Sequence, residues 1–131
     1  MSITTVLFDF DGTLADTLPI CIHSIAESFL KYDGKTLTAD DVVAMFGPTE
    51  ADIIRFNLRN RDAAEDAVRL FYELYDKEHD RMVRPNADMI ALLDRLASDG
   101  YRLGIVTGKG RASLDISLER LGMKHYFGVT V

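Results

Sequence analysis

Two aspartates flank a single phenylalanine in VLFDFDGTLAD, residues 6–16, where an apolar run gives way to Gly12-Thr13. A turn at a strand tip needs only one polar residue and a glycine. Two carboxylates on one face, Asp9 and Asp11, repel each other unless a cation or a proton relieves them. A hard divalent cation does so, because Mg2+ binds through one or two carboxylates together with substrate phosphate oxygens. The pattern therefore points to phosphate chemistry. A second stretch, YRLGIVTGKG at residues 101–110, is an apolar run entering Thr107-Gly108-Lys109, and glycines such as Gly12 and Gly108 let backbone approach closely without a Cβ.

Positioning these residues requires strands. ITTVLF, residues 3–8, is β-branched and aromatic and reads as a buried strand. Alternation then sends Phe8 and Phe10 one way and Asp9 and Asp11 the other. From Leu18 the apolar positions 18, 21, 22, 25, 26, 29 and 30 form a helical stripe, opened by Asp16 or Thr17 and closed at Gly34. Thr38 with Asp41, Thr49 with Asp52, and Asp62 with Glu65 have capping-box spacing, which predicts two short helices and a long one to about His79. Arg84-Pro85 breaks that pattern. A helix through Met89, Leu92, Leu93 and Leu96 ends at Gly100, a strand covers 101–106, a helix covers 111–121, and YFGVTV starts a third strand.

Strand, helix and strand in alternation predict an α/β fold with a Rossmann-like parallel sheet. An ordinary crossover takes about a dozen residues. The helical segment 17–82 is far longer, so it reads as a separate lobe inserted into a core of 1–16 and 83–131. In open α/β sheets ligands bind beyond the carboxyl ends of the strands. Asp9-Asp11 and Thr107-Gly108 both stand at such ends.

Composition narrows the function classes. With 131 residues, 47% hydrophobic, 27% charged and three prolines, the chain has the profile of one soluble globular domain. A single cysteine, Cys21, rules out an internal disulfide framework, and no apolar run is long enough to span a bilayer. The start lacks the basic and small-residue features of a secretion signal, so the expected location is the cytoplasm. A net charge of −6 without a basic run argues against nucleic acid as a partner.

Strand-D-F-D-G-T-L-A-D-T, a helical insertion and a later strand ending IVTGK together resemble the haloacid dehalogenase superfamily, in particular its phosphatases with a small helical cap after the first motif. The resemblance implies that Asp9 is the nucleophile, forming an aspartyl-phosphate. By the same resemblance Asp11 is the general acid and later the base, Mg2+ sits on the Asp9 carboxylate and the Asp11 backbone carbonyl, and Thr107 with nearby amides holds the phosphate. The chemistry agrees: a carboxylate attacks a dianion poorly, so metal charge must screen the approach while hydroxyl and amide donors hold the transferring group. Lys109 is close enough to reach a phosphate, although its plainer reading is an exposed loop lysine. The cap loop Phe46-Gly47-Pro48-Thr49 faces the active site in the resembling phosphatases, with Arg55 a weaker companion.

The same resemblance exposes gaps. Family members carry a later lysine and then an acidic pair that completes the metal site, and no Asp or Glu follows Glu119 here. The expectation is thus a truncated form of a Mg2+-dependent phosphatase for a small phosphorylated metabolite. The alternatives are a catalytically incomplete module that binds phosphate or a partner, and a phosphomutase. In the family sheet a further strand flanks the first, so ITTVLF should offer an unpaired edge and promote self-association. Cys21 reads as core. His23, His79 and His125 read as surface or lobe residues without metal-ligand spacing, and Phe71, Tyr72 and Tyr75 as helical packing.

Overall fold

The computed structural model describes residues 3–130. Residues 1, 2 and 131, the ends of the expected core segments, lie outside the described residues. The elements run β1 (Thr5–Phe8), α1 (Leu18–Asp33), α2 (Ala39–Val43), α3 (Glu50–Asn57), a 3-10 turn (Arg61–Ala63) and α4 (Ala64–Met82). They continue with α5 (Ala87–Ser98), β2 (Arg102–Ile105), α6 (Arg111–Arg120), a 3-10 turn (Lys124–Tyr126) and β3 (Phe127–Thr130). Leu7 and Phe8 pair with Gly104 and Ile105, and β3 joins the other side of β2, giving a parallel sheet in the order β1-β2-β3. The fold is α/β as expected, with the helices α1–α4 inserted after the first strand.

Local chemistry accounts for most boundaries. Thr38 and Asp41 close a reciprocal capping box at α2, and Thr49 accepts from the Asp52 amide at α3. Asp62 and Glu65 make no such box: a 3-10 turn occupies 61–63 and α4 starts without a side-chain cap. Gly34 ends α1 in the left-handed conformation at φ 63° that a Cβ resists.

Two faces differ from the sequence reading. The buried face of α1 is Ile20, Cys21, Ser24, Ile25, Ser28 and Phe29, while Leu18 and Leu30 are exposed. Two small serines take buried positions on that face, and Ser28 satisfies its hydroxyl on the Ser24 carbonyl at 2.9 Å. β1 is only half-buried, with Leu7 57% exposed, because it is the edge strand and one of its sides has no neighbour among the described residues. The core is built instead from Phe10, Leu14, Ile20, Ile25, Phe71, Tyr75, Leu93, Ile105 and Leu114. His79, read as a surface or lobe residue, belongs to the lobe: it is fully buried between α4 and α6, with Nε2 2.8 Å from the Ser117 hydroxyl. The same hydroxyl is 2.5 Å from that of Tyr75, so one serine ties two aromatic side chains of α4 to α6.

Candidate active site

The turn after β1 is fixed from inside. Phe10 is fully buried, and its carbonyl accepts from the amides of Thr13, Leu14 and Ala15. With the phenylalanine anchored, Asp9 and Asp11 both line one cleft of about 250 Å3. Thr107, Gly108 and Lys109 line it from the end of β2, and Phe46, Gly47, Pro48, Thr49 and Glu50 from the loop before α3 and its first residue. Strand-end carboxylates, the second glycine turn and the loop from the helical lobe therefore meet at one place.

Each carboxylate has one oxygen engaged. Asp9 Oδ1 accepts from the Phe10 amide at 2.7 Å. Asp11 Oδ1 accepts from the buried Thr17 hydroxyl and pairs with Lys109 Nζ at 3.1 Å. Among the described residues the second oxygen of each has no hydrogen-bond partner. The hydrogen bonds of the 10–15 turn also leave the Asp11 carbonyl unused.

Lys109 departs most from the sequence reading, because its side chain is fully buried and not a loop lysine in solvent. Nζ lies 2.8 Å from Glu50 Oε1, 3.3 Å from Cys21 Sγ and 4.9 Å from the centre of the Tyr75 ring. Burial alone works against the ammonium, but the ionisable groups around it, Cys21, Glu50, Tyr75 and Asp11, outweigh it and hold Lys109 above the ordinary lysine range. Cys21 is buried as expected. Desolvation pushes its thiol up to about 12 against the opposing pull of Lys109, so it is a neutral neighbour of the cation. Desolvation likewise raises the Tyr75 phenol.

Two further expectations are corrected by position. Gly12 lies outside the lining of this cleft, and its amide donates to the Ala15 carbonyl at 2.8 Å, so it shapes the turn at φ 78° and has no donor left for a phosphate. Arg55 is tied to Asp52 and Glu65 on the helical lobe and does not line the cleft. Glu50 was missed. In sequence it is one acidic residue in the first turn of a capped helix, and its hydrogen-bond partners lie 29 to 63 positions away.

Among the described residues no group of three or more His, Cys, Asp or Glu could hold a metal ion. The exposed Asp9 carboxylate and the unused Asp11 carbonyl are oxygen donors without a competing protein cation, which fits an ion that keeps several waters and takes one or two carboxylates. The cleft also carries three carboxylates, Asp9, Asp11 and Glu50, against one ammonium, so an anionic ligand requires added positive charge.

Comparison with known proteins agrees with this geometry. The family described as haloacid dehalogenase-like hydrolase matches residues 6–131. Pyrophosphatase PpaX of Bacillus mycoides is 29% identical over 131 residues, covering all of this chain and 60% of that protein. The Bacillus cereus (strain G9842) PpaX is 30% identical with the same coverage. The chain thus spans about 60% of the length of the curated relatives it matches. Among solved structures, a predicted phosphoglycolate phosphatase from Haemophilus somnus aligns at TM-score 0.80 and 21% identity, covering 98% of this chain and 62% of its own. CbbY from Rhodobacter sphaeroides, solved with phosphate, aligns at TM-score 0.80 and 19% identity over 98% and 63%. At those identities the two structures establish the shared fold.

Proposed function

Since this chain belongs to the haloacid dehalogenase-like hydrolases, we propose that it carries the nucleophile-bearing part of a Mg2+-dependent phosphatase acting on a small phosphorylated compound. The observation that carries the reading is the disposition of the two carboxylates. Each has one oxygen tied and one free, and both line the cleft that Thr107 and Gly108 close.

In this mechanism the free oxygen of Asp9 attacks phosphorus, giving an aspartyl-phosphate, while the tied oxygen keeps the carboxylate turned toward the cleft. The free oxygen of Asp11 donates its proton to the leaving oxygen and then takes one from the water that hydrolyses the acyl-phosphate. Thr107 and the Gly108 amide hold the transferring group. Lys109 is committed to Asp11 and Glu50, so it orients the acid–base group more than it holds phosphate. Asp9 and the Asp11 carbonyl would hold Mg2+, which when bound supplies the charge that lets a carboxylate approach a phosphate dianion.

Residues 17–82 act as a cap over a core of 1–16 and 83–131, with Gly47, Pro48 and Thr49 on the substrate side. A lid of this kind excludes water and selects the leaving group. The cleft of about 250 Å3 is small beside the roughly 300–1,000 Å3 of common ligand pockets. That size, together with the relatives named pyrophosphatase, favours inorganic pyrophosphate or a compact phosphate ester over a nucleotide.

The test is hydrolysis of pyrophosphate and of an aryl phosphate with Mg2+ or with EDTA, beside Asp9→Asn. Mg2+-dependent turnover lost in the variant is the expected result, and turnover that survives Asp9→Asn overturns the mechanism. One observation favours a second reading, a phosphate-binding module without turnover: the metal donors among the described residues fall short of a full set. Orthophosphate binding by a folded chain with no hydrolysis would select it.

A further inference from the structure

Glu50 enters the cleft from α3, yet most of its partners lie on the opposite wall. Oε1 accepts from Lys109 Nζ at 2.8 Å and from Ser113 Oγ at 3.1 Å, and Oε2 accepts from the Gly110 amide at 3.2 Å. These donors come from one short segment, 109–113, directly after Thr107-Gly108. The seat is cut to the carboxylate, because a Cβ on Gly110 would stand 2.8 Å from Oε2. Glu50 itself is buried, at 7% exposure.

A carboxylate taken out of water needs several donors to offset its desolvation, and Glu50 finds three on that segment. Capping α3 does not explain the arrangement, since Thr49 already accepts from the Asp52 amide there. Nor does Lys109 find Asp11 unaided. An ammonium on a flexible four-carbon stem has many orientations, and here it is pinned between Glu50 at 2.8 Å and Asp11 at 3.1 Å.

Resting on the phosphatase reading above, we infer that Glu50 is a positioning residue that acts on Asp11 through Lys109. Seating of α3 on segment 109–113 and alignment of the acid–base carboxylate are then one event. When α3 withdraws, Lys109 loses its shortest contact and is left with Asp11, Cys21 Sγ and the face of the Tyr75 ring, so its hold on Asp11 Oδ1 loosens.

The experiment follows the Asp11 carboxyl carbon by NMR in the full chain labelled at aspartate. Glu50→Gln keeps the shape and an acceptor but withdraws the charge from Lys109. Gly110→Ala keeps every charged group and displaces the carboxylate, and its backbone at φ −60° accepts alanine without other strain. In both variants the Asp11 resonance should move while that of exposed Asp16 stays, and Asp52→Asn on the same turn of α3 should leave Asp11 in place. The double variant should match the larger single effect, because both break one contact. An Asp11 resonance unmoved in both variants, or moved equally by Asp52→Asn, overturns the inference. In a chain that turns over substrate, Glu50→Gln should lower kcat by about tenfold with KM changed less than about twofold, and a raised KM at unchanged kcat overturns it. A wild-type chain without turnover counts against the phosphatase reading alone, since the resonance shift does not depend on catalysis.

Discussion

Phe10 sets the distance between the two carboxylates, and its replacement links stability to the site. The side chain is fully buried and its carbonyl gathers three turn amides. Phe10→Ala removes a large apolar group and leaves a cavity that the sheet, α1 and the turn can fill only in part, at a cost of about 3–5 kcal/mol. Against a total stability of about 5–15 kcal/mol the variant should still fold. With a urea slope near 2 kcal/mol/M, the unfolding midpoint should fall by about 1.5–2.5 M. Phe10→Leu retains an apolar anchor and should lose less than half as much. Orthophosphate binding with Mg2+, measured by calorimetry on the folded baseline, should weaken in the alanine variant and persist in the leucine one. A loss of stability under about 1 kcal/mol would place Phe10 among ordinary surface substitutions and refute the anchoring argument.

Other expectations concern the buried polar groups and the sheet edge. Desolvation holds His79 below its ordinary value of 6.5, so the neutral ring is the folded form. Stability should be full above that value and fall as pH drops toward the lower folded value, and urea midpoints across pH 5–8 should flatten in His79→Gln. Thr17→Val deletes the hydroxyl that Asp11 accepts from and should cost about 1.5–3 kcal/mol by thermal unfolding, with Thr17→Ser recovering most of it. Lys109→Met leaves Glu50 and Asp11 without their buried counter-charge and should cost about 3–5 kcal/mol in chemical denaturation, whereas adding Glu50→Gln should recover part of that loss. Light scattering over a concentration series should show self-association through the β1 edge that Leu7→Lys reduces; a monomer at all concentrations would remove that surface from consideration.

The parts of the fold that depend on neighbours in sequence were legible. The capped α2 and α3, the stop at Gly34 and the break at Arg84-Pro85 all follow from local hydrogen bonding and backbone limits. Asp9, Asp11 and Thr107 were legible as a set because each stands at the end of an apolar run, and parallel strands bring such ends together. Lys109 was legible as a residue of that turn, but Glu50 and the contact between the two were not, since the contact joins residues far apart in sequence and neither has an unusual local pattern. A lysine after Thr-Gly looks like a loop residue until an acidic helix start is folded over it. The α1 face differs for a related reason: hydropathy ranks leucine above serine, whereas a buried helix face takes a serine whose hydroxyl can bond its own helix, as Ser28 does with the Ser24 carbonyl. Sequence left His79 as either a surface or a lobe residue because its partner, Ser117, belongs to a helix that packs on it only in the folded chain.

The unpaired side of β1 also separates assembly from catalysis. If two copies meet there across a two-fold axis, hydrogen-bonding register makes the joined strands antiparallel. The combined sheet would run β3-β2-β1 and then the mirror order, with the Asp9 ends of the two short strands facing opposite rims, separated by about 13 Å of strand at roughly 3.3 Å per residue. Neither copy would then lend a side chain to the other's cleft. A strand that does bring its carboxyl end beside Asp9 must lie parallel to β1, and a parallel neighbour is reached only by a crossover or supplied by a different polypeptide. Dimerisation through β1 and addition of a parallel strand beside Asp9 are therefore distinguishable outcomes, one set by symmetry and the other by strand direction.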